Sequence, residues 1–146
     1  MNVKLSKDQF ERLLHLAYMG NWVVNGYRSE DPKQEYDDAA GLVYAHALEA
    51  GLKSLIEFDE TEGRYFPSAK LEEDLADLID DYEDWAFWDL LVLKLAERDL
   101  VRQVGQEAVD AMGDKELEER RAPFIQKYEK EIENQGILNL EIIRIS

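Results

Sequence analysis

The chain has 146 residues, no cysteine and a formal net charge of −16, from 33 acidic and 17 basic residues. This length supports one domain with a real core. The absence of cysteine excludes disulfides, thiolate metal sites and a cysteine nucleophile. The negative charge disfavours binding to nucleic acid or to an anionic membrane surface. We therefore expect a single acidic domain over residues 1–146 that binds neither nucleic acid nor membrane.

Targeting signals are not apparent in the sequence. The N-terminal stretch lacks the apolar core and the small-residue cleavage site of a signal peptide. No run approaches the roughly 20 apolar residues that cross a bilayer. These features predict a cytoplasmic protein.

The first two helices are predicted from their ends. Ser6 and Gln9 have the spacing of a capping box, which predicts a helix over residues 7–27. Gly20, in the middle of this helix, predicts a close crossing with another helix, because a central glycine otherwise costs about 1 kcal/mol relative to alanine. A second helix with a face of small residues is predicted over residues 33–50, and Gly51 is predicted to end it in a left-handed conformation.

The next segment predicts a hairpin followed by a long helix. Apolar residues over 55–58 and 64–66 flank a polar turn that ends in Gly63, which is typical of two paired strands. Ser68 is then predicted to cap a helix over residues 71–104. Its first half has an apolar stripe that we expect to face inward: Leu71, Leu75, Leu78, Tyr82 and Trp85.

The second half of the long helix, residues 86–96, is apolar on nearly every side. Such a helix belongs in a core or at a subunit contact, so we expect a homodimer. Asp89 lies within this run. It predicts either a basic partner for a buried carboxylate or a single solvated strip along the helix.

A last helix is predicted over residues 114–134, with a kink or restart at Pro123. The tail from Leu138 to Ile142 alternates apolar and polar residues, with Ile143 and Ile145 following, and this pattern predicts a half-buried strand. The fold class is therefore mainly α: a bundle of four to five helices with a minor antiparallel β element formed by the hairpin near residues 55–66 and the C-terminal strand.

An acidic face on the long helix is the first candidate site. Its carboxylates lie three or four positions apart, within reach of one cation, and the second helix contributes an E-x-x-D pair. This arrangement is similar in residue type alone to that of magnesium-dependent all-α nucleotide pyrophosphohydrolases. The alternative is a solvated helix surface. The candidate metal ligands are Glu35, Asp38, Asp77, Asp80, Asp81 and Asp84.

A polar stripe on the first helix is the second candidate site. Its residues repeat at three and four positions, and two asparagines in an otherwise apolar helix indicate side-chain hydrogen bonds. They could line a pocket for an anionic or polar small ligand. Alternatively, the two amides bond to loop carbonyls and the arginine pairs with an acid of the long helix. The candidate ligand-binding residues are Tyr18, Asn21, Trp22, Asn25 and Arg28.

Three functions remain open. We expect a non-enzymatic protein-interaction or regulatory module, because catalytic motifs are absent: neither histidine has metal-site spacing, and no serine lies in a nucleophile elbow. The first alternative is a divalent-metal-dependent hydrolase of a nucleotide or phosphate ester, with Mg²⁺ as the candidate ion. The second is a DNA mimic that inhibits a basic protein. No cofactor is expected outside the hydrolase alternative.

Overall fold

The computed structural model describes residues 3–144 and is mainly α-helical, as predicted. Five α-helices and one two-stranded antiparallel sheet are present in this part of the chain. Their order is α1 (Lys7–Asn25), α2 (Gln34–Ala45), β1 (Ile56–Asp59), β2 (Arg64–Pro67), α3 (Ala69–Val104), α4 (Gln106–Asp110) and α5 (Asp114–Gln135). None of the helices between residues 3 and 144 is both long and apolar enough to span a membrane.

The chain divides into two compact units, the first ending at Asp81 and the second beginning at Tyr82. The boundary lies within α3, so this helix contributes residues to both units. The first unit also contains α1, α2 and the hairpin, and the second contains α4 and α5. The expectation of one domain over residues 1–146 stays a prediction.

The first helix begins at the predicted capping box. Ser6 Oγ accepts a hydrogen bond from the backbone N–H of Gln9 at 3.2 Å, and Gln9 Oε1 accepts one from the backbone N–H of Ser6 at 2.9 Å. These bonds satisfy two N–H groups that the start of a helix leaves without partners. The close crossing expected at Gly20 is wrong, because Gly20 is exposed and a Cβ placed there would have no atom within 4 Å.

The core of the first unit combines side chains from α1, α2, the hairpin and the start of α3. Leu14, Leu71 and Leu75 are almost completely buried. Two alanines lie in the same cluster, Ala40 of α2 and Ala47 in the turns that follow it, and their small side chains allow close packing of neighbouring elements. The buried cluster consists of Leu14, Ala40, Tyr44, Ala47, Leu52, Leu55, Ile56, Leu71 and Leu75.

The second helix ends at Ala45, short of the predicted residue 50. Beyond it the backbone changes to turns: the N–H of Ala47 bonds to the carbonyl of Tyr44 at 3.0 Å. Gly51 has a left-handed conformation (φ 73°), as predicted, but it closes this turn segment rather than α2 itself. One 3₁₀ turn, Lys53–Leu55, then leads into β1.

The predicted hairpin is confirmed. β1 pairs antiparallel with β2, and Phe58 lies opposite Tyr65 with their ring centroids 4.9 Å apart. Gly63 in the turn has φ 68°, a conformation that glycine adopts without steric cost. Ser68 Oγ then accepts a hydrogen bond from the backbone N–H of Leu71 at 3.3 Å, which confirms the predicted cap of α3.

The predicted inward stripe of α3 is buried only at its start. Leu71 and Leu75 are in the core, whereas Leu78, Tyr82 and Trp85 are 57%, 55% and 62% exposed. The prediction is therefore wrong beyond Leu75. Helical periodicity identifies an apolar face, but it does not identify the neighbour that covers that face.

The second unit has a smaller core. Val92, Ala96 and Leu100 of α3 are buried, as is Tyr128 of α5. α5 continues through Pro123 as one helix, so the restart considered there does not occur. Proline lacks the N–H that would bond four residues back. The helix tolerates the loss of this hydrogen bond because Pro123 and the residue four positions before it are both exposed. Water can therefore donate a hydrogen bond to the carbonyl that Pro123 leaves without a partner.

The predicted C-terminal strand is wrong over the described residues. The backbone turns after α5 and is irregular from Leu140 to residue 144, and Ile142 and Ile143 are 98% and 75% exposed. An alternating segment forms a strand only when another strand supplies backbone partners. The sheet between residues 3 and 144 contains only β1 and β2. Ile145 lies outside the described residues.

Candidate functional site

The two asparagines of the first-helix stripe are held by hydrogen bonds within the first unit. Asn25 Oδ1 accepts a bond from the backbone N–H of Lys33 at 2.7 Å. Its amide nitrogen donates to Asn21 Oδ1 at 2.7 Å and to the carbonyl of Lys33 at 3.1 Å. Asn25 thus ties the end of α1 to the residue that precedes α2, in line with the alternative that the amides bond to loop carbonyls.

The same polar chain continues to the hairpin. The amide nitrogen of Asn21 donates to Asp37 Oδ1 at 3.2 Å, and Arg64 Nη1 lies 2.7 Å from Asp37 Oδ2. The carboxylate of Asp37 is therefore bonded from α1 on one side and from β2 on the other. The hydrogen bond from Arg64 to Asp37, together with the charge of Asp37, raises the pKa of Arg64, while partial burial acts in the opposite direction. Three elements of the first unit are linked through one carboxylate.

The other three residues of the stripe have separate surroundings. Tyr18 is half-buried against the core of the first unit, and burial followed by the nearby charge of Glu72 raises the pKa of its hydroxyl. Trp22 is also half-buried. Arg28 Nε donates to the carbonyl of Val24 at 2.8 Å, and its guanidinium lies 4.7 Å from the ring centroid of Tyr27. The ligand-binding role of the stripe stays a prediction.

The six candidate metal ligands are all at exposed positions. Asp38 accepts a hydrogen bond from Gln34 at 2.8 Å, and Asp84 accepts one from the indole nitrogen of Trp88 at 3.1 Å. Within residues 3–144, no three histidine, aspartate or glutamate side chains are grouped closely enough to hold a metal ion. The four candidate ligands that belong to α3 are exposed on the surface of that helix.

The start of the second unit exposes a run of large apolar side chains, here called the aromatic segment (residues 82–90 of α3). Trp85 is 62% exposed, and Tyr82, Phe87 and Leu90 are each exposed by more than half. The rings pair locally: Tyr82 with Trp85 at 6.1 Å between centroids, and Phe87 with Trp88 at 4.9 Å. At about 100° per residue, these side chains point to several sides of the helix. The second unit leaves them uncovered.

A charged cluster surrounds Asp99 in the second unit. Its carboxylate accepts a hydrogen bond from the hydroxyl of Tyr128 and lies 3.0 Å from Arg98 and 3.2 Å from Lys127. Partial burial raises the pKa of Asp99, but the hydrogen bonds from Tyr128, Lys127 and Arg98 outweigh it and leave the pKa below its ordinary value. The cluster joins the last turns of α3 to α5.

A cleft of about 680 Å³ lies beside this cluster. Its basic residues are balanced by Asp99 and by two glutamates of the lining, so the cleft has no excess of positive charge. It is lined by Arg98, Arg102, Lys127, Tyr128, Glu131, Asn139, Leu140, Glu141, Ile142 and Ile143.

The central residues of these networks were not identified from the sequence. Asp37 and Arg64 are 27 positions apart, and Asp99 and Tyr128 are 29 positions apart. Among them, Tyr128 has a signal in the sequence, because it recurs with Ile125 and Ile132 at the three- and four-residue spacing of an apolar helix face. No protein-family model matches the chain, and searches of curated proteins and of solved structures gave no match either.

Proposed function

We propose that this protein is a non-enzymatic protein-interaction or regulatory module that binds another polypeptide through the aromatic segment. The observation that carries the proposal is the exposure of Tyr82, Trp85, Phe87 and Leu90 within nine consecutive residues of one helix. Tyr82 and Trp85 also lie on one side of the helix, with their ring centroids 6.1 Å apart. Contiguous exposed apolar surface on a folded protein marks an interaction site more often than scattered apolar residues do.

The energetics favour burial of this segment by a partner. Covering an apolar side chain of this size contributes roughly 1.5–3 kcal/mol. Tryptophan and tyrosine are also the residue types most enriched among the few interface residues that dominate binding. Trp85, the most exposed of the aromatic residues here, is therefore the expected centre of the interface.

The acidic surface agrees better with binding than with metal-dependent hydrolysis. The hydrolase alternative requires Glu35 and Asp38 to converge with the acids of α3 on one cation, and the described residues contain no such group of three. That alternative and the DNA mimic stay predictions. Mimicry of DNA predicts that neutralising Asp77 and Asp80 abolishes binding while the aromatic residues are intact.

Replacing Tyr82 and Trp85 together by serine tests the proposal. If these residues serve binding, the free energy of unfolding changes by less than about 1 kcal/mol, because exposed positions contribute little to stability. The matched control is Leu71→Ala at a fully buried position, where a loss of about 2–5 kcal/mol is expected. Chemical denaturation followed by circular dichroism measures both.

Binding itself is tested with a photo-crosslinking side chain at position 82 of the full chain in its own cells, against the same probe at exposed position 118 of α5. We expect a discrete cross-linked product from position 82 alone, and its loss when Trp85 is changed to serine. Equal products from both positions, or a serine variant as unstable as Leu71→Ala, would contradict the proposal.

A further inference from the structure

The aromatic segment carries carboxylates on every side. At about 100° per residue, Glu83, Asp84 and Asp89 are spaced by roughly 100–140° around the helix axis. All three are exposed. The expected basic partner of Asp89 is therefore wrong, and Asp89 lies on a solvated side of the helix. The ion pairs of α3 that flank the segment are Lys70 with Asp74 and Lys94 with Glu97.

The charge around the segment has one sign. Between residues 71 and 93 the sequence has nine acidic residues and neither lysine nor arginine. Exposed charges of this kind act over about 8 Å at physiological ionic strength. The nine acids are Glu72, Glu73, Asp74, Asp77, Asp80, Asp81, Glu83, Asp84 and Asp89.

We propose that the polypeptide bound by the aromatic segment is a basic amphipathic helix, an inference that rests on the proposed function. Its apolar face would cover the rings of Tyr82 and Trp85, which lie about 60° apart around the helix axis, and its lysine or arginine residues would meet the adjacent carboxylates. Laying an amphipathic helix against an apolar surface is a recurrent mode of peptide recognition. Complementary charge also accelerates association and excludes unsuitable partners.

The same charges argue against a second copy of this chain as the occupant. Because each side of the segment has a carboxylate beside its apolar side chains, a second α3 packed along it would bring its own carboxylates near these, with no lysine or arginine between residues 71 and 93 to offset them. Like charges brought together at an interface disfavour that pairing. A second copy of the chain, which the apolar residues 86–96 led us to expect, is thus the less favoured binding partner of the segment.

The probe is a fluorescently labelled 18-residue helical peptide made of leucine and lysine, with all leucines on one face. Its controls are a leucine–glutamate peptide of the same pattern and a leucine–lysine peptide of scrambled order. Fluorescence anisotropy with the full chain measures affinity at low and physiological salt. We expect saturable binding of the first peptide, weaker at higher salt, and no saturable binding of either control.

Two pairs of substitutions locate the binding. Tyr82→Ser with Trp85→Ser should weaken it by at least about tenfold, whereas Leu42→Ser, at an apolar position of α2 that is 68% exposed, should leave it unchanged. Glu83→Gln with Asp89→Asn should weaken it by about threefold or more. Glu118→Gln with Glu129→Gln removes the same charge from exposed positions of α5 and should have no effect.

Other outcomes separate the inference from the proposed function. Equal binding of the leucine–glutamate peptide, or an equal loss in the α5 variant, overturns the basic-helix inference. A doubled mass by light scattering that the serine variant abolishes also overturns it, because the occupant is then a second copy, but the interaction module remains. If the peptide does not bind, the inference fails. If the photo-crosslinker at position 82 also gives no product, the proposed function fails with it.

Discussion

The hydroxyl of Tyr128 in α5 donates a hydrogen bond to the carboxylate of Asp99 in α3, and this contact anchors the charged cluster of the second unit. The side chain of Asp99 is only 13% exposed. A hydrogen bond to a charged group contributes about 1.5–3 kcal/mol to stability. Tyr128→Phe should therefore lower the free energy of unfolding by that amount at pH 7, as measured by urea denaturation.

The Asp99 cluster also predicts a pH dependence. Since the folded state lowers the pKa of Asp99 below its unfolded value of 3.8, the cluster stabilises the protein above that pH and loses its effect as pH falls through the folded pKa. Asp99→Asn should be destabilising at pH 7, and the difference from the wild type should shrink below about pH 3.8. Asp80→Asn, at an exposed position, is the control. A difference that is constant with pH would contradict this explanation.

The ion pair between Asp37 and Arg64 should couple the hairpin to α2. Their side chains are 28% and 33% exposed and lie 2.7 Å apart. In a double-mutant cycle with Asp37→Asn and Arg64→Met, we expect a coupling energy of about 1 kcal/mol in unfolding free energy. The more exposed pair of Asp31 and Lys33 should give less than about 0.5 kcal/mol. Equal couplings would show that the first pair has no special structural role.

Two glycines of the first helix should respond oppositely to alanine. At Gly26, an added Cβ would lie 2.6 Å from the backbone carbonyl oxygen of Trp22, which cannot move without distorting the end of α1. Gly26→Ala should therefore lower the free energy of unfolding by about 1–3 kcal/mol. At Gly20 the added Cβ would meet nothing within 4 Å, so Gly20→Ala should raise it by about 0.5–1 kcal/mol. Thermal and urea denaturation of both variants check the signs.

His15 should make the stability of the protein sensitive to mild acid. Burial, followed by the charge of Arg12, lowers the pKa of His15 below its unfolded value of 6.5, although Glu11 and Asp74 act in the opposite direction. The unfolded state therefore binds the proton more readily, so stability is full above about pH 6.5 and falls as the pH drops below it.

The Arg12 guanidinium lies 3.0 Å from His15 Nδ1. Its positive charge favours the neutral form of the imidazole ring. His15→Asn should reduce the loss of unfolding free energy between pH 7 and about pH 5.5. His46→Asn, at an exposed histidine, should leave that loss as it is. An unchanged pH slope in the His15 variant would exclude His15 as its source.

Elements with local signals were predicted well. The capping box at Ser6 and Gln9, the hairpin turn at Gly63 and the cap at Ser68 all form as expected. In each case the residues that decide the geometry are within a few positions of one another, so the necessary hydrogen bond or backbone conformation is encoded locally.

Predictions that depended on a distant neighbour were less accurate. Within residues 3–144, the tail near Ile142 has a strand pattern but no strand to pair with, and no other element lies against Gly20. For the site, the hydrogen bonds of Asn21 and Asn25 were anticipated, but their connection through Asp37 to Arg64 was not. An ion pair across 27 positions leaves no periodic signal in a single sequence.

The sequence by itself determined that this protein is acidic and mainly helical, with a hairpin ahead of one long helix, because composition, caps and periodicity act through neighbouring residues. Only the tertiary structure decided which apolar residues are covered. Leu75 and Trp85 belong to one stripe of α3, yet Leu75 is buried and Trp85 is exposed. The physical reason is that burial depends on elements far away in the chain. The sequence pattern of α3 does not specify where those elements lie.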